Sequence, residues 1–271
     1  MKTSFAGTYG PWAVIAGGSR GVGAEYARTL AGLGLNLVLI ARNGKRLDTT
    51  AKEIEDRYGV AVRTLATDLS RETAAATVTD ATHDLEIGLV VYNAGLSNPG
   101  SFLEQPEESH LAQLGVNCRT PLSLIHSFGA RMKARHRGGI ILMSSLTAFV
   151  GSPMVAGYGA TKSFNLVLGE GLAFELNREG IDLLVCCAGV ITPDIETNLP
   201  GARARAPLFA PPTTSPQRVV RSALRGLGHR SVVVPGVLNR LVSIALQRVL
   251  PRSVSVWLMA RTVARLDFPG S

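Results

Sequence analysis

The stretch "GYGATKSF", residues 157–164, sets a phenol and an ammonium four residues apart. At i and i+4, Tyr158 and Lys162 lie one above the other on a single helical face. Gly157, Gly159 and Ala160 put nothing bulky beside them, which leaves room for reacting partners. A free phenol, with a pKa of about 10, is a poor proton carrier at neutral pH. A neighbouring ammonium favours the phenolate and lowers that pKa. The pair is then suited to giving a proton to a developing alkoxide, or taking one from an alcohol. A lone Y-x-x-x-K is cheap, and most such pairs decorate surfaces. Two further residues make this one specific. "ILMSSLTAF" sets Ser145 thirteen residues before Tyr158, where its hydroxyl can bind a carbonyl oxygen. "GVNCRTP" offers Asn117, which can hold a water behind the lysine in a proton relay.

A second group of residues reads as a phosphate cradle. The apolar run "WAVIAGG" (12–18) opens into "AGGSRGVG" (16–23), with Gly17, Gly21 and Gly23 at G-x-x-x-G-x-G spacing. Glycine there permits a tight turn, close approach of backbone to a pyrophosphate, and close packing of helix on sheet. The helix N-terminus adds free N–H groups and a partial positive charge. The expected dinucleotide contacts run through Gly17, Ser19, Arg20, Gly21, Val22 and Gly23. At the end of the second apolar run, an acid would accept from a ribose 2′-hydroxyl and repel a 2′-phosphate. "LIARN" has no acid and sets Arg42 there, with Arg20 able to close on the same group from the other side. Two guanidiniums suit a dianion, so the expected cofactor is NADP(H). In "TDLS", Asp68 and Leu69 end the third run; the carboxylate either accepts from an adenine amino group or caps the segment that follows. "YNAG" (92–95) brings Asn93, Ala94 and Gly95, small enough to let backbone approach the adenine ribose.

These loops must be gathered at one edge of a scaffold. Seven apolar runs alternate with helical patterns: 12–18, 36–42, 61–70, 87–95, 138–145, 181–189 and 231–236. Near-continuous apolar strands between helices predict an α/β fold, a mostly parallel, doubly wound sheet with helices on both faces. Ligands then bind at the carboxyl ends of the strands. No linker divides the 271 residues, so one dinucleotide-binding and catalytic domain is expected, with residues 192–216 as a Pro-rich, lid-like loop.

Together, "GGSRGVG", "YNAG", "VN", "SS" and "YGATK" resemble the short-chain dehydrogenase/reductase family, across roughly residues 10–192. The resemblance implies a Rossmann-type fold and a tetrad of Asn117, Ser145, Tyr158 and Lys162. It also implies that Lys162, with Tyr158, contacts the nicotinamide ribose, and that Arg20 and Arg42 stand where NADP-preferring members carry basic residues. Gly189, Ile191 and Thr192 are the corresponding nicotinamide contacts, although "AGVITP" lacks the proline usual there and brings its threonine one residue early. Ala16 and Tyr92 also depart from the commonest pattern. Members of the family form dimers or tetramers, so a homo-oligomer is expected.

The expected activity is NADPH-dependent interconversion of a hydrophobic ketone and a secondary alcohol. A non-catalytic NADPH-binding regulator is the rival, which would leave the tetrad without a purpose. For the substrate side, Leu96, Leu146, Phe149, Met154, Val190, Ile191, Leu208 and Phe209 either line an apolar pocket or pack the core. Residues 201–271 carry a net charge of +10, which leaves −2 on residues 1–200 and +8 on the whole chain. Those arginines lack interleaved aromatic residues, so nucleic acid is not an expected partner. The segment 237–266 reads as two apolar, basic helices broken at Pro251. It either lies on an anionic membrane surface or, as the preferred reading, covers the pocket or a partner subunit with its arginines in water. Three cysteines without metal spacing, no apolar leader and no membrane-length apolar run point to a cytoplasmic protein.

Overall fold

The computed structural model describes residues 4–191 and 213–263. Seven strands form one sheet: β1 (Trp12–Ala16), β2 (Asn36–Ala41), β3 (Val62–Ala66), β4 (Ile87–Tyr92), β5 (Gly138–Ser145), β6 (Ile181–Ala188) and β7 (Val232–Val233). Their order is β3-β2-β1-β4-β5-β6-β7, and every pairing is parallel. The α/β expectation therefore holds. The chain reverses direction across the sheet between β1 and β4, which opens a crevice beyond the carboxyl ends of these two strands.

Ten helices accompany them among the described residues: α1 (Phe5–Tyr9), α2 (Gly21–Gly32), α3 (Gly44–Tyr58), α4 (Ala74–Asp80), α5 (Glu107–Leu114), α6 (Thr120–Lys133), α7 (Ala156–Asn177), α8 (Pro216–Gly226), α9 (Val237–Ile244) and α10 (Arg252–Val263). Alternate strand residues face opposite layers. Ile15, Leu37 and Leu39 meet Tyr26 and Leu30 of α2, Leu47 and Ile54 of α3 and Val219 of α8. Val14, Val38 and Ile40 meet Val78 of α4, Phe128 of α6 and Leu166 of α7. Each such side chain, fully buried, contributes about 1.5–3 kcal/mol relative to exposure.

The strands end earlier than the apolar runs predict. β3 stops at Ala66 and β4 at Tyr92, because Thr67–Ser70 and Asn93–Gly95 peel away to line the crevice. The N-terminal segment, silent as sequence, holds a short helix that Ser4 caps by accepting from the Gly7 N–H at 3.1 Å. Tyr9 fixes it to the sheet by donating to Asp182 Oδ2 at 2.6 Å. The ring lies over Gly139, where a Cβ would come within 2.8 Å of Tyr9 Cδ1.

Candidate active site

The first turn of α7 carries Tyr158, and the next carries Lys162. The helix can press close to the sheet because Gly169, midway along it, has no side chain to collide with Val185. That draws Lys162 into the interior, where only 3% of its surface is exposed. Its Nζ donates to the Met143 carbonyl of β5 at 2.9 Å and stands 5.5 Å from the Tyr158 ring centroid. Ser144 Oγ in turn donates to the Lys162 carbonyl at 2.8 Å, so strand and helix hold the lysine from both ends.

Ser145, the last residue of β5, stands near the Tyr158 phenol, where its hydroxyl favours the phenolate. Its Oγ also accepts from the Thr147 N–H at 3.2 Å, which caps the turn Leu146–Ala148. Serine hydroxyl, phenol and ammonium therefore lie close together. Their electrostatics differ from expectation. Burial raises the Tyr158 pKa above its ordinary value, and the Ser145 hydroxyl only partly opposes this. Burial also lowers Lys162 to about 8, against smaller opposing effects of the Cys118 and Cys187 thiols. Desolvation is the largest influence on both groups.

Asn117 lies in a single π-turn, Gly115–Arg119, inserted between α5 and α6. Such insertions are frequent at functional sites. The side chain, fully buried, acts as a brace: Oδ1 accepts from the Leu96 N–H at 2.8 Å, and Nδ2 donates to the Leu96 carbonyl and to Thr161 Oγ1, both at 2.9 Å. Asn165 Nδ2 donates to the Asn117 carbonyl at 2.9 Å, and Tyr92 Oη donates to the Val116 carbonyl at 2.5 Å. The water-holding amide predicted from sequence is thus engaged with protein on both its atoms. Thr161 and Asn165 were not singled out, although Tyr158, Thr161, Lys162 and Asn165 follow the i, i+3, i+4, i+7 rhythm of one helical face. Asn117→Ala should cost about 2–4 kcal/mol, since it strands the Leu96 amide and Thr161 hydroxyl. Urea unfolding would measure this, and a loss below about 1 kcal/mol would contradict the brace.

Beside this group runs a cleft of about 660 Å³. Gly17, Ser19, Arg20, Gly21, Val22, Arg42, Asp68, Leu69, Asn93, Ala94 and Gly95 all line it, together with Leu96 and Ile191. Gly17 has φ +80°, and a Cβ there would press to 3.0 Å from the Ala94 backbone. Gly23 lies behind the turn, where a Cβ would collide with the Gly17 carbonyl oxygen. At the N-terminus of α2, Arg20 makes no side-chain cap, so the first N–H groups remain available to an anion. The guanidiniums of Arg20 and Arg42 are exposed on the same cleft. Arg46, missed in the sequence, joins them from the first turn of α3. A glycine-lined cleft, free helix N–H groups and a cationic outer end fit a phosphorylated dinucleotide.

Asp68 holds the turn after β3 and does not cap α4, whose N-cap is Thr73: Oδ1 accepts from Ser70 N–H at 3.0 Å and Ser70 Oγ at 2.8 Å. These bonds, chiefly the backbone one, hold its pKa below the ordinary carboxylate value. The carboxylate nonetheless borders the cleft. Gly189 sits against Asn239 of α9, whose Nδ2 would lie 2.6 Å from a Cβ. Thr192, Leu208 and Phe209, and the predicted lid up to residue 212, lie outside the described residues. Of the predicted pocket residues, Leu96 and Ile191 line the cleft, Val190 is exposed, and Phe149 packs on the core. Met154 holds a left-handed φ of 62°, its carbonyl accepting from the Gly100 N–H at 2.7 Å.

The chain is similar to known proteins in sequence and in fold. Residues 11–203 match the family model described as short chain dehydrogenase. A 7β-hydroxysteroid dehydrogenase of Collinsella aerofaciens is 34% identical over 233 residues, 86% of this chain and 88% of that one. A solved structure from work on 7β-hydroxysteroid dehydrogenase stereoselectivity superposes with TM-score 0.88 at 31% identity, covering 94% of this chain and 99% of the other. A short-chain dehydrogenase from Sphingobium yanoikuyae in complex with NADPH superposes at TM-score 0.72 and 31% identity, covering 83% of this chain and 87% of that one.

Proposed function

The chain belongs to the short chain dehydrogenase family, and from that premise we propose that it reduces a bulky, steroid-like ketone to a secondary alcohol with NADPH. The observation that carries this reading is the convergence of Ser145, Tyr158 and Lys162 beside a glycine-lined, arginine-bearing cleft. The likeness to 7β-hydroxysteroid dehydrogenases supports the steroid, and the two arginines support the phosphorylated cofactor.

The cofactor, when bound, supplies the hydride. Gly17, Ser19, Gly21 and Val22 would take its pyrophosphate, Arg20 and Arg42 its 2′-phosphate, and Asp68, Leu69, Asn93 and Ala94 the adenosine half. Gly95, Ile191, Thr192 and the strand end at Gly189 would border the nicotinamide, with Lys162 binding its ribose. Ser145 donates to the substrate oxygen and fixes its direction. Tyr158, kept protonated by its raised pKa, delivers the proton as the oxygen gains negative charge. Lys162 supplies fixed positive charge beneath both. Asn117 keeps the π-turn and the Leu96 loop in register with α7.

The same reading takes residues 1–271 as one cytoplasmic catalytic unit working as a homo-oligomer. Leu111, Leu114 and Leu122, exposed on α5 and α6, offer an apolar contact surface for it.

Two measurements test the proposal. Arg42→Ala should weaken NADPH binding about 10–100-fold, as expected for lost charged hydrogen bonds, and leave NADH affinity nearly unchanged. Equal loss for both cofactors would refute the phosphate contact. Among carbonyl substrates, ketosteroids should exceed small aliphatic ketones in kcat/KM by at least about 100-fold, since each buried methylene contributes. Preference for a small ketone would overturn the steroid assignment.

A further inference from the structure

The C-terminal helical pair is built inside out. Along α9 the buried side chains are polar: Asn239 is 1% exposed and Ser243 3%. Its apolar residues face outward, with Val237 76%, Leu241 58% and Ile244 44% exposed at i, i+4 and i+7. These polar groups bond inside the protein: Asn239 Nδ2 donates to Thr214 Oγ1 and to the Pro235 carbonyl, and Ser243 Oγ to the Arg240 carbonyl, while Asn239 Oδ1 is buried without a partner among the described residues. α10 repeats the arrangement, burying Ser255, which donates to the Leu246 carbonyl at 3.1 Å, while Trp257 is half exposed. The Arg261 guanidinium stacks on the Trp257 indole at 4.0 Å. A helix that turns leucine and valine outward needs an apolar medium on that side.

Charge decides which. Residues 213–263 contain eight arginines and no acidic residue, with Arg240, Arg248, Arg252 and Arg261 on the pair itself. Two copies of this face would bring like charges together, which opposes self-association. An anionic lipid surface offers both things the face lacks, an apolar layer and negative headgroups. No helix of the described residues is long and apolar enough to cross a membrane, so the contact is a superficial one.

We propose that α9 and α10 dock this protein onto anionic bilayers, with Val237, Leu241, Ile244 and Trp257 entering the headgroup boundary and the arginines engaging lipid phosphates. Docking does not depend on the reaction proposed above. It would set the catalytic domain against the membrane by the side that carries the substrate loops, because α9 packs on Gly189 after β6 and Val256 of α10 lies 4.0 Å from a Cβ built on Gly151.

The test uses the full chain with vesicles of phosphatidylcholine alone or mixed with phosphatidylglycerol, sedimented at about 20 mM and about 0.5 M salt. The protein should pellet with anionic vesicles at low salt, and not with zwitterionic ones. High salt should release most of it. The exposed positions tolerate change, so Leu241→Glu and Trp257→Glu should lower partitioning at least about tenfold while keeping the native melting temperature. Each of Arg240→Gln and Arg248→Gln should lower it about fivefold. Absence of binding to anionic vesicles would overturn the proposal. So would unaltered vesicle binding in the Glu variants, or a dimer that they dissociate in protein that binds no lipid.

Discussion

Tyr158→Phe should lower ketone reduction by at least about 1,000-fold while leaving NADPH affinity within about threefold, because the substitution removes the proton donor and nothing else. The phenol oxygen faces Ser145 and carries no bond that the fold depends on, so the fold should survive with a stability change of about 1 kcal/mol or less. The ring still stacks above the lysine. Ser145 would keep its bond to the Thr147 N–H and remain able to orient a carbonyl. The effect therefore belongs in kcat, with KM little changed. Stopped-flow absorbance of NADPH oxidation and fluorescence titration of NADPH would separate the two quantities. A variant retaining more than about a tenth of wild-type turnover would remove Tyr158 from the chemistry.

Lys162→Met should lower activity and stabilise the protein, two effects of opposite sign from one side chain. Burial lowers the Lys162 pKa to about 8 from 10.5. The folded state therefore disfavours the ammonium, and at neutral pH this costs roughly 3 kcal/mol. The sign follows from proton counts. Below pH 8 both states are protonated and the cost is full. Between about 8 and 10.5 the unfolded chain holds the extra proton, so stability rises with pH; above that the cost is gone. Met fits the same apolar channel without charge but forfeits the bond to the Met143 carbonyl. The net gain should be about 2 kcal/mol, or about 5 °C in Tm at pH 7, shrinking as pH rises and turning into a loss of about 1 kcal/mol above about pH 10.5. Turnover should fall at least about 100-fold through the lost electrostatic stabilisation. Calorimetry at pH 7 and pH 10 would check it. A variant less stable than wild type at pH 7 would mean the buried ammonium is a structural asset.

The scaffold was legible because its strands are short, apolar and bounded by glycine. Ile15, Leu39 and Val90 belong to runs buried on both faces, and only a parallel sheet covers both. The catalytic group was legible for a different reason. Ser145 ends a strand and Tyr158 starts a helix, so secondary structure alone carries both to one edge. What sequence could not weigh was energy. The mutual influence of Tyr158 and Lys162 depends on how deeply α7 sinks onto β5 and β6, and Gly169 sets that depth. Asn117's pattern of bonds depends on a π-turn, which no hydrophobic period signals. Asp68 was ambiguous because a carboxylate at a strand end serves a turn or a ligand equally well, and Ser70 two residues later settles its bonds. The orientation of α9 escaped because amphipathic spacing tells which residues share a face, not which face looks inward.

The central claim is that the site turns over substrate with NADPH and does not merely bind the cofactor. It is tested most directly by absorbance at 340 nm with NADPH and a ketosteroid, together with chromatographic measurement of the alcohol. NADPH loss equal to alcohol gained, absent with NADH at the same concentration and absent in Tyr158→Phe, is the predicted result. Tight NADPH binding with no alcohol from any ketone would contradict it, and would make the protein a cofactor sensor on a dehydrogenase scaffold.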